Sequence, residues 1–227
     1  MSLSEAAEEN GFAILPEVFA HESLDCLLQQ IDQLAPRRTR AGLRHALRLA
    51  PVAAWAQSEN MLGLARAVLG QDAFPFRATL FDKSPESNWL VVWHQDTALP
   101  LRKRIDVPGW GPWSVKEGIP YAHAPTSALS QVVALRVGFD DSTVENGPLR
   151  VLPGSQKNGV LSDDAIHEFA ARVPAVNCLI PKRGILAMRP LLVHSSSKSR
   201  GESSRRVIHI EYSSSMAVAG GIELAIA

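Results

Sequence analysis

Leu90-Val91-Val92-Trp93-His94-Gln95-Asp96 is a short β-branched and aromatic run that ends in a histidine and an aspartate two positions apart. Side chains of a strand alternate between its faces, so His94 and Asp96 project to the same side. An imidazole and a carboxylate placed side by side can take adjacent positions on one metal ion. Trp93 and Gln95 point the other way and are expected to pack or to support the ligands.

Outward from this stretch the chain changes character near Pro75. Before it, Glu22 to Leu34 carries Leu24, Leu27, Leu28, Ile31 and Leu34 at helical spacing, with Pro36 as its stop. Leu43–Leu49 and Val52–Leu69 follow the same period, with Pro51 at the break and Gly70 at the end. After Pro75, Arg77–Asp82, Leu90–Gln95, Val132–Phe139, Leu149–Leu152, Ala175–Ile180, Ile185–Met188, Leu191–His194 and Arg206–Tyr212 read as short strands separated by turn residues. That pattern predicts a sandwich or barrel. Phe12–Leu15 is a further short strand. The prediction is one domain over 1–227: helical from about 1 to 75, and a barrel from about 76 to 215.

Between the first motif and the next strand, 97–130 holds five prolines and three glycines. It is predicted to contain no regular element and to act as a lid over the substrate. Trp110, Trp113 and His123 within it are candidate substrate contacts.

A third metal ligand must come from a distant segment. His194 is the candidate because it ends the Leu191–Val193 run. Of the other histidines, His21, His45 and His167 read as surface residues and His209 as a core residue. Two histidines and one carboxylate leave open positions on the ion, an arrangement suited to iron(II) enzymes that bind a chelating co-substrate and dioxygen. Such a co-substrate, 2-oxoglutarate, needs a cation for its far carboxylate, and arginine matches carboxylate geometry. Arg205 and Arg206 open the strand after His194. Alternation alone leaves both as candidates, because both faces of that strand are partly apolar.

The long-range pattern resembles the phytanoyl-CoA dioxygenase family of iron(II)/2-oxoglutarate oxygenases. The likeness runs from about Asn10 to Tyr212. It rests on Gly11-Phe12-Ala13-Ile14-Leu15-Pro16 before an amphipathic helix, on Trp93-His94-Gln95-Asp96, on the segment from Asn146 through Pro153-Gly154-Ser155, and on Gly184 to His194. The resemblance implies a mainly β fold with flanking α: a double-stranded β-helix (jelly-roll, cupin-like) core with N-terminal helices packed on one sheet. It implies His94, Asp96 and His194 as metal ligands and Arg205, eleven positions after His194, as the 2-oxoglutarate anchor. Lys83, Asn88 and Trp89 are added as candidate pocket residues, Lys83 toward the co-substrate. Gln156 departs from the histidine common after the Pro-Gly-Ser turn; that position is no ligand. Halogenating relatives lack the carboxylate, so Asp96 points to hydroxylation with release of succinate and carbon dioxide. Fe(II), 2-oxoglutarate and dioxygen are the implied cofactors. The rival readings are a cupin-like metal enzyme that uses no 2-oxoglutarate and a non-catalytic jelly-roll binding module. Arg205 and the intact ligand set argue against them.

Composition narrows the partners. The 227 residues are 46% apolar and 20% charged, with formal net charge zero. The densest basic cluster, Arg37 to Arg40, is too short for a nucleic-acid face. No apolar run approaches the roughly 20 residues that span a bilayer, and the acidic start does not resemble a signal peptide. Cys26 and Cys178 read as separate buried thiols. A small-molecule substrate and a cytoplasmic protein are expected.

Overall fold

A computed structural model describes residues 1–35, 39, 42–84 and 87–227. Pro36 and the arginines of the 37–40 cluster fall outside these. The N-terminal part comprises helix α1 (Leu3–Glu9), strand β1 (Phe12–Leu15), α2 (His21–Leu34), β2 (Gly42–Leu43), α3 (Ala50–Ala56) and α4 (Glu59–Leu69). Next come β3 (Phe74–Lys83), β4 (Val91–His94), β5 (Ala98–Pro100), β6 (Trp113–Lys116), β7 (Ile119–His123) and α5 (Thr126–Leu129). The remainder is β8 (Val132–Gly138), β9 (Leu149–Val151), α6 (Asp163–Arg172), β10 (Val176–Cys178), β11 (Ile185–Met188), β12 (His194–Ser196), β13 (Arg205–Ser213), β14 (Ala217–Val218) and β15 (Ile222–Glu223).

Two antiparallel sheets form the core of the double-stranded β-helix. The larger runs β1-β11-β8-β13-β3-β2 and the smaller β10-β9-β12-β4. Both faces of the large sheet are covered. Its outer face offers Ala78, Leu80, Val133, Leu135, Val137, Ile208 and Ile210 to the apolar sides of α2, α3 and α4. The Tyr212 hydroxyl fastens β13 to α3 by donating to the Ala56 carbonyl at 2.9 Å. The opposite face packs Ala134, Leu186 and Met188 against Leu149, Val151 and Leu192. Covered on both sides, β13 buries every residue but Arg206; Ile208, Ile210 and Tyr212 face the helices, while the other face carries Arg205, Val207 and His209.

Several expectations change. The acidic start forms α1, fixed by a capping box between Ser2 and Glu5. Leu43–Leu49 is not a helix: β2 pairs with β3, and only Ala46–Arg48 turns, as a 3-10 helix. The predicted helix over 52–69 is two, divided at Gln57 and Ser58. His194 begins β12 rather than ending a strand, because Leu191 and Leu192 lie in the preceding turn.

The largest correction concerns 97–130. It is not irregular: β5, β7 and β6 form a three-stranded antiparallel sheet, followed by α5. Pro100 ends β5 and Pro108, Pro112 and Pro125 lie outside the strands, while Pro120, second in β7, still accepts the Leu101 amide through its carbonyl at 2.8 Å, so the sheet survives them. Trp110 is buried with Leu99, Leu101 and Leu224 and helps to hold this sheet to the body. His45, expected at the surface, is buried, and its Nε2 hydrogen-bonds the Tyr121 hydroxyl at 2.9 Å. Both cysteines are free thiols; Cys26 is exposed rather than buried.

Candidate metal and co-substrate site

β4 and β12 are neighbours in the small sheet, and in their register His94 faces His194 directly. The two rings sit 4.2 Å apart between centroids. Each ring is held in the same local way. The Nδ1 of His94 lies 2.9 Å from the Val92 carbonyl, and that of His194 lies 2.8 Å from the Leu192 carbonyl. A carbonyl can only accept, so each Nδ1 carries the proton and each Nε2 keeps its lone pair. Both Nε2 atoms turn toward Asp96: His94 at 3.6 Å from Oδ1 and His194 at 3.5 Å from Oδ2. The ligand atoms of the three residues all lie within 4.8 Å of one another. Two Nε2 lone pairs and a carboxylate converging on one point are a donor set that fits a divalent metal, with the tautomers already chosen.

The electrostatics agree. Burial pushes the Asp96 carboxyl up, but the His194 and His94 rings outweigh it and hold it well below the usual carboxylate range. Burial drives His194 down to about 4, so this ring is neutral at neutral pH. Burial also pushes His94 down, yet its hydrogen bond and charge interaction with Asp96 prevail and its pKa is raised.

Gln95 holds the two ligand segments together from behind. Its Nε2 donates to the Leu191 carbonyl at 2.7 Å and to Gly159 at 2.9 Å, and its Oε1 accepts from the Leu161 amide at 2.8 Å. Trp93 packs beside Leu152 and Val193. Ser155, from the Pro-Gly-Ser turn, accepts the Val193 amide at 2.8 Å and so places the residue before His194. Gln156 donates to the Glu8 carbonyl at 2.9 Å and secures α1, which gives the departure from histidine a structural role.

A cavity of about 100 Å³ opens beside the three ligands, lined in part by Phe81, Lys83, Trp89, Arg136, Ser196 and Arg205. Three buried cations meet here. Arg205 and Lys83 are cross-strand partners, and Arg136 pairs across β8 and β13 with His209, touching its Nδ1 at 2.9 Å. Lys83 Nζ donates to Ser196 Oγ at 2.8 Å and to the Ser197 carbonyl at 2.7 Å. Burial, reinforced by Arg205 and Arg136, lowers the Lys83 ammonium to about 8, and burial with Arg136 lowers Arg205 to about 10. A buried cation without a carboxylate is costly, so a cavity with three is built for an anion.

Arg206 does not share this cavity. It points to the other face and forms a two-pronged pair with Asp140, at 2.8 and 2.7 Å. Asn88 clamps Ser199 through two bonds of 2.8 Å rather than lining the cavity. Trp110 and Trp113 line neither this cavity nor the one on the other side of Asp96; His123 lines the latter. Arg136 and Ser196 were missed from sequence. Arg136 was visible as a charge inside the otherwise apolar run 132–138, and Ser196 follows His194 at strand spacing.

The turn at Asn146-Gly147 supports the cations. Arg205 Nε donates to the Asn146 carbonyl at 3.4 Å, and Ser196 Oγ donates to Gly147 at 2.9 Å. Gly147 has φ +66°, and a Cβ there would meet the Ser197 carbonyl at 2.4 Å.

A family model described as phytanoyl-CoA dioxygenase (PhyH) matches residues 7–207. L-proline trans-4-hydroxylase of Streptomyces griseoviridis is 26% identical over 178 residues, which is 67% of this chain and 59% of that protein. The chain therefore spans about three fifths of the length of that relative. Among solved structures, AviO1 from Streptomyces viridochromogenes Tue57 superposes with a TM-score of 0.69 at 23% identity, covering 96% of each chain. EctD from S. alaskensis, with 2-oxoglutarate and 5-hydroxyectoine, gives a TM-score of 0.70 at 17% identity, covering 92% of this chain and 74% of that one. These likenesses show the fold.

Proposed function

The chain belongs to the phytanoyl-CoA dioxygenase family, and on that premise we propose that it is an iron(II)- and 2-oxoglutarate-dependent oxygenase that hydroxylates a small organic substrate. One observation carries the reading. The cluster of His94, Asp96 and His194 opens into a cavity whose other wall is Lys83, Arg136 and Arg205. A cupin-like metal enzyme without 2-oxoglutarate has no need of a buried cation set beside its metal.

His94, Asp96 and His194 would hold the metal, and Arg205 and Lys83 would hold the far carboxylate of 2-oxoglutarate. When bound, iron supplies activation of dioxygen coupled to decarboxylation of 2-oxoglutarate, which the side chains cannot perform. The protein orients and insulates. The carbonyls of Val92 and Leu192 keep both Nε2 atoms unprotonated. Asp96 offsets part of the metal charge. Lys83 fixes the co-substrate by charge, and Arg205 by charge and by its fork of donors. Phe81 and Trp89 narrow the cavity and limit water. The side chain of His94 is more open than that of His194, so access is from the His94 side.

The relative's substrate, proline, favours a small metabolite here. Two free thiols favour a reducing compartment, and we place the protein in the cytoplasm on that ground. Among the described residues no helix is long and apolar enough to cross a membrane.

The test is spectroscopic. Iron(II) and 2-oxoglutarate added to the metal-free protein under argon should give a weak visible charge-transfer band. Arg205→Ala should abolish it at the same 2-oxoglutarate concentration. No band in the wild type, or an unchanged band in the variant, would sink the co-substrate assignment.

A further inference from the structure

A second cavity, about 220 Å³, lies on the other side of Asp96. Its floor continues the same strand. Arg77, Thr79, Phe81 and Lys83 alternate along β3, so one face of that strand serves both cavities: Lys83 lines the first, Arg77 and Thr79 the second, and Phe81 both. The remaining walls include the three-stranded sheet, through Lys116, Tyr121 and His123, and Arg44 just before the 3-10 turn.

The charges of this cavity do not cancel. Arg77 is matched by Glu211, with which it makes an ion pair, and it also donates to the Ala98 carbonyl at 2.8 Å. Glu117 lies 3.3 Å from His45 and half-exposed, but burial lowers the His45 pKa and leaves that ring neutral, so it does not cancel the Glu117 charge; Asp96, the carboxylate of the cavity itself, is turned to His94 and His194. Lys116 and Arg44 have no carboxylate partner among the described residues. Lys116 is held over the face of Tyr121, 4.5 Å from the ring centroid, and Tyr121 is itself tied to His45. Its ammonium is thus positioned rather than waving in solvent. Burial, with Arg77 and Arg44 nearby, lowers its pKa, and Asp96 across the cavity offsets only part of this; a bound anion would relieve that cost. The first cavity already has its own cations, so this second set is separate from the co-substrate set.

We propose that Lys116 and Arg44 bind an anionic group of the primary substrate, a carboxylate or a phosphate, and so select acidic substrates. This rests on the oxygenase reading, since it takes the second cavity as the substrate side of the metal. The anion is held at the wall formed by β6 and Arg44, and the rest of the molecule extends toward Asp96. The three-stranded sheet is then a specificity wall, fixed by the His45–Tyr121 hydrogen bond, and His123, whose Nδ1 is 2.6 Å from Thr97 Oγ1, borders it.

Calorimetric titration tests this on intact protein loaded with iron(II) under argon and saturated with 2-oxoglutarate, so that the first cavity is filled and no turnover occurs. The probes are inorganic phosphate, small carboxylates including L-proline, phosphate monoesters, and the neutral amides and alcohols matched to each. The expected result is tenfold or greater preference for some anions over their neutral partners. Lys116→Met and Arg44→Met should each remove most of that preference. The carboxylate and phosphate arms show which anion the cavity takes. Lys116→Glu should reverse the preference toward neutral or cationic probes, and an unchanged 2-oxoglutarate band in each variant confirms that it is folded. Equal affinity for neutral and charged probes, no anion-selective probe in the panel, or full anion preference in the Lys116→Met/Arg44→Met double variant would each overturn the proposal. Loss of the oxygenase reading would show instead as no 2-oxoglutarate band in the wild type, while the anion titrations of wild type and variants still decide this site.

Discussion

Lys83 and Arg205 stand directly opposite each other in the register of β3 and β13, two buried cations on the inner face of the large sheet. Like charges directly opposite across strands destabilise a sheet. No carboxylate partner for either occurs among the described residues, and Lys83 makes do with Ser196 and the Ser197 carbonyl. This is a local cost that a bound dicarboxylate would offset.

Removing one of the two charges should therefore separate stability from binding. Arg205→Met is expected to weaken 2-oxoglutarate binding on the order of 100-fold, since a hydrogen-bonded charge pair lost on one side costs roughly 2–5 kcal/mol. The thermal midpoint of the protein without co-substrate should stay level or rise. Calorimetry with 2-oxoglutarate and a melting curve check both; a large fall in the midpoint would contradict the picture of an unrelieved repulsion.

The same pair sets a pH dependence. Lys83 has a folded-state pKa of about 8, against an ordinary value of 10.5. Between these values the unfolded chain binds a proton that the folded one has released, so stability without co-substrate rises with pH across about 8 to 10.5. Binding runs the other way, because the anion needs the ammonium. Affinity for 2-oxoglutarate should be steady below pH 8 and decline above it, by up to about tenfold per pH unit. Lys83→Met should flatten both curves.

Metal binding should be visible as stabilisation. A divalent ion at 100 times its dissociation constant adds about 2.7 kcal/mol, or roughly 5–10 °C for a chain of this size. His194→Ala and Asp96→Ala should each lose most of this shift. Since the ion needs the unprotonated ring and the His94 pKa is raised by Asp96, affinity should fall as the solution is acidified through that range.

Gln95 touches three backbone groups and no ligand atom, yet it ties the segments bearing His94 and His194. Gln95→Leu leaves the Leu161 amide and two carbonyls without their partner and should destabilise by about 2–4 kcal/mol. Denaturant melts measure this. Metal affinity should fall alongside, and a variant of wild-type stability would show that water replaces the side chain without loss.

Gly147→Ala should destabilise by about 1–3 kcal/mol through its positive φ and the approach of the Ser197 carbonyl. Because Ser196 and Arg205 both lean on this turn, 2-oxoglutarate affinity should drop with it. Wild-type affinity in the variant would disconnect the turn from the cations.

Much of this centre was legible in one dimension. The period of two in a strand put His94 and Asp96 on one side, and the long-range pattern of motifs from Gly11 to Arg205 pointed to the family and to a β core with helices in front. Those features depend on local geometry, which neighbouring residues impose on each other. The strand after His194 was the limit: with apolar residues on both faces, alternation could not say whether Arg205 or Arg206 looked inward. Packing decided it, because α2, α3 and α4 cover one face and leave the other to the cavity. The 97–130 segment failed for a similar reason. Its prolines and glycines argue against a regular element residue by residue, but three short strands gain their hydrogen bonds from one another and their anchor from Trp110 and the rest of the apolar cluster behind them. Periodicity and residue type in the sequence put His94 and Asp96 on one side of a strand and pointed to a β sandwich or barrel, while the double-stranded β-helix, His194 and Arg205 followed from the likeness of its motifs to a known family. Only the tertiary structure could bring Arg136 and Ser196 to Lys83 and Arg205, or set Lys116 and Arg44 across Asp96 from them, since such meetings depend on strand register over long separations and on which face each sheet buries.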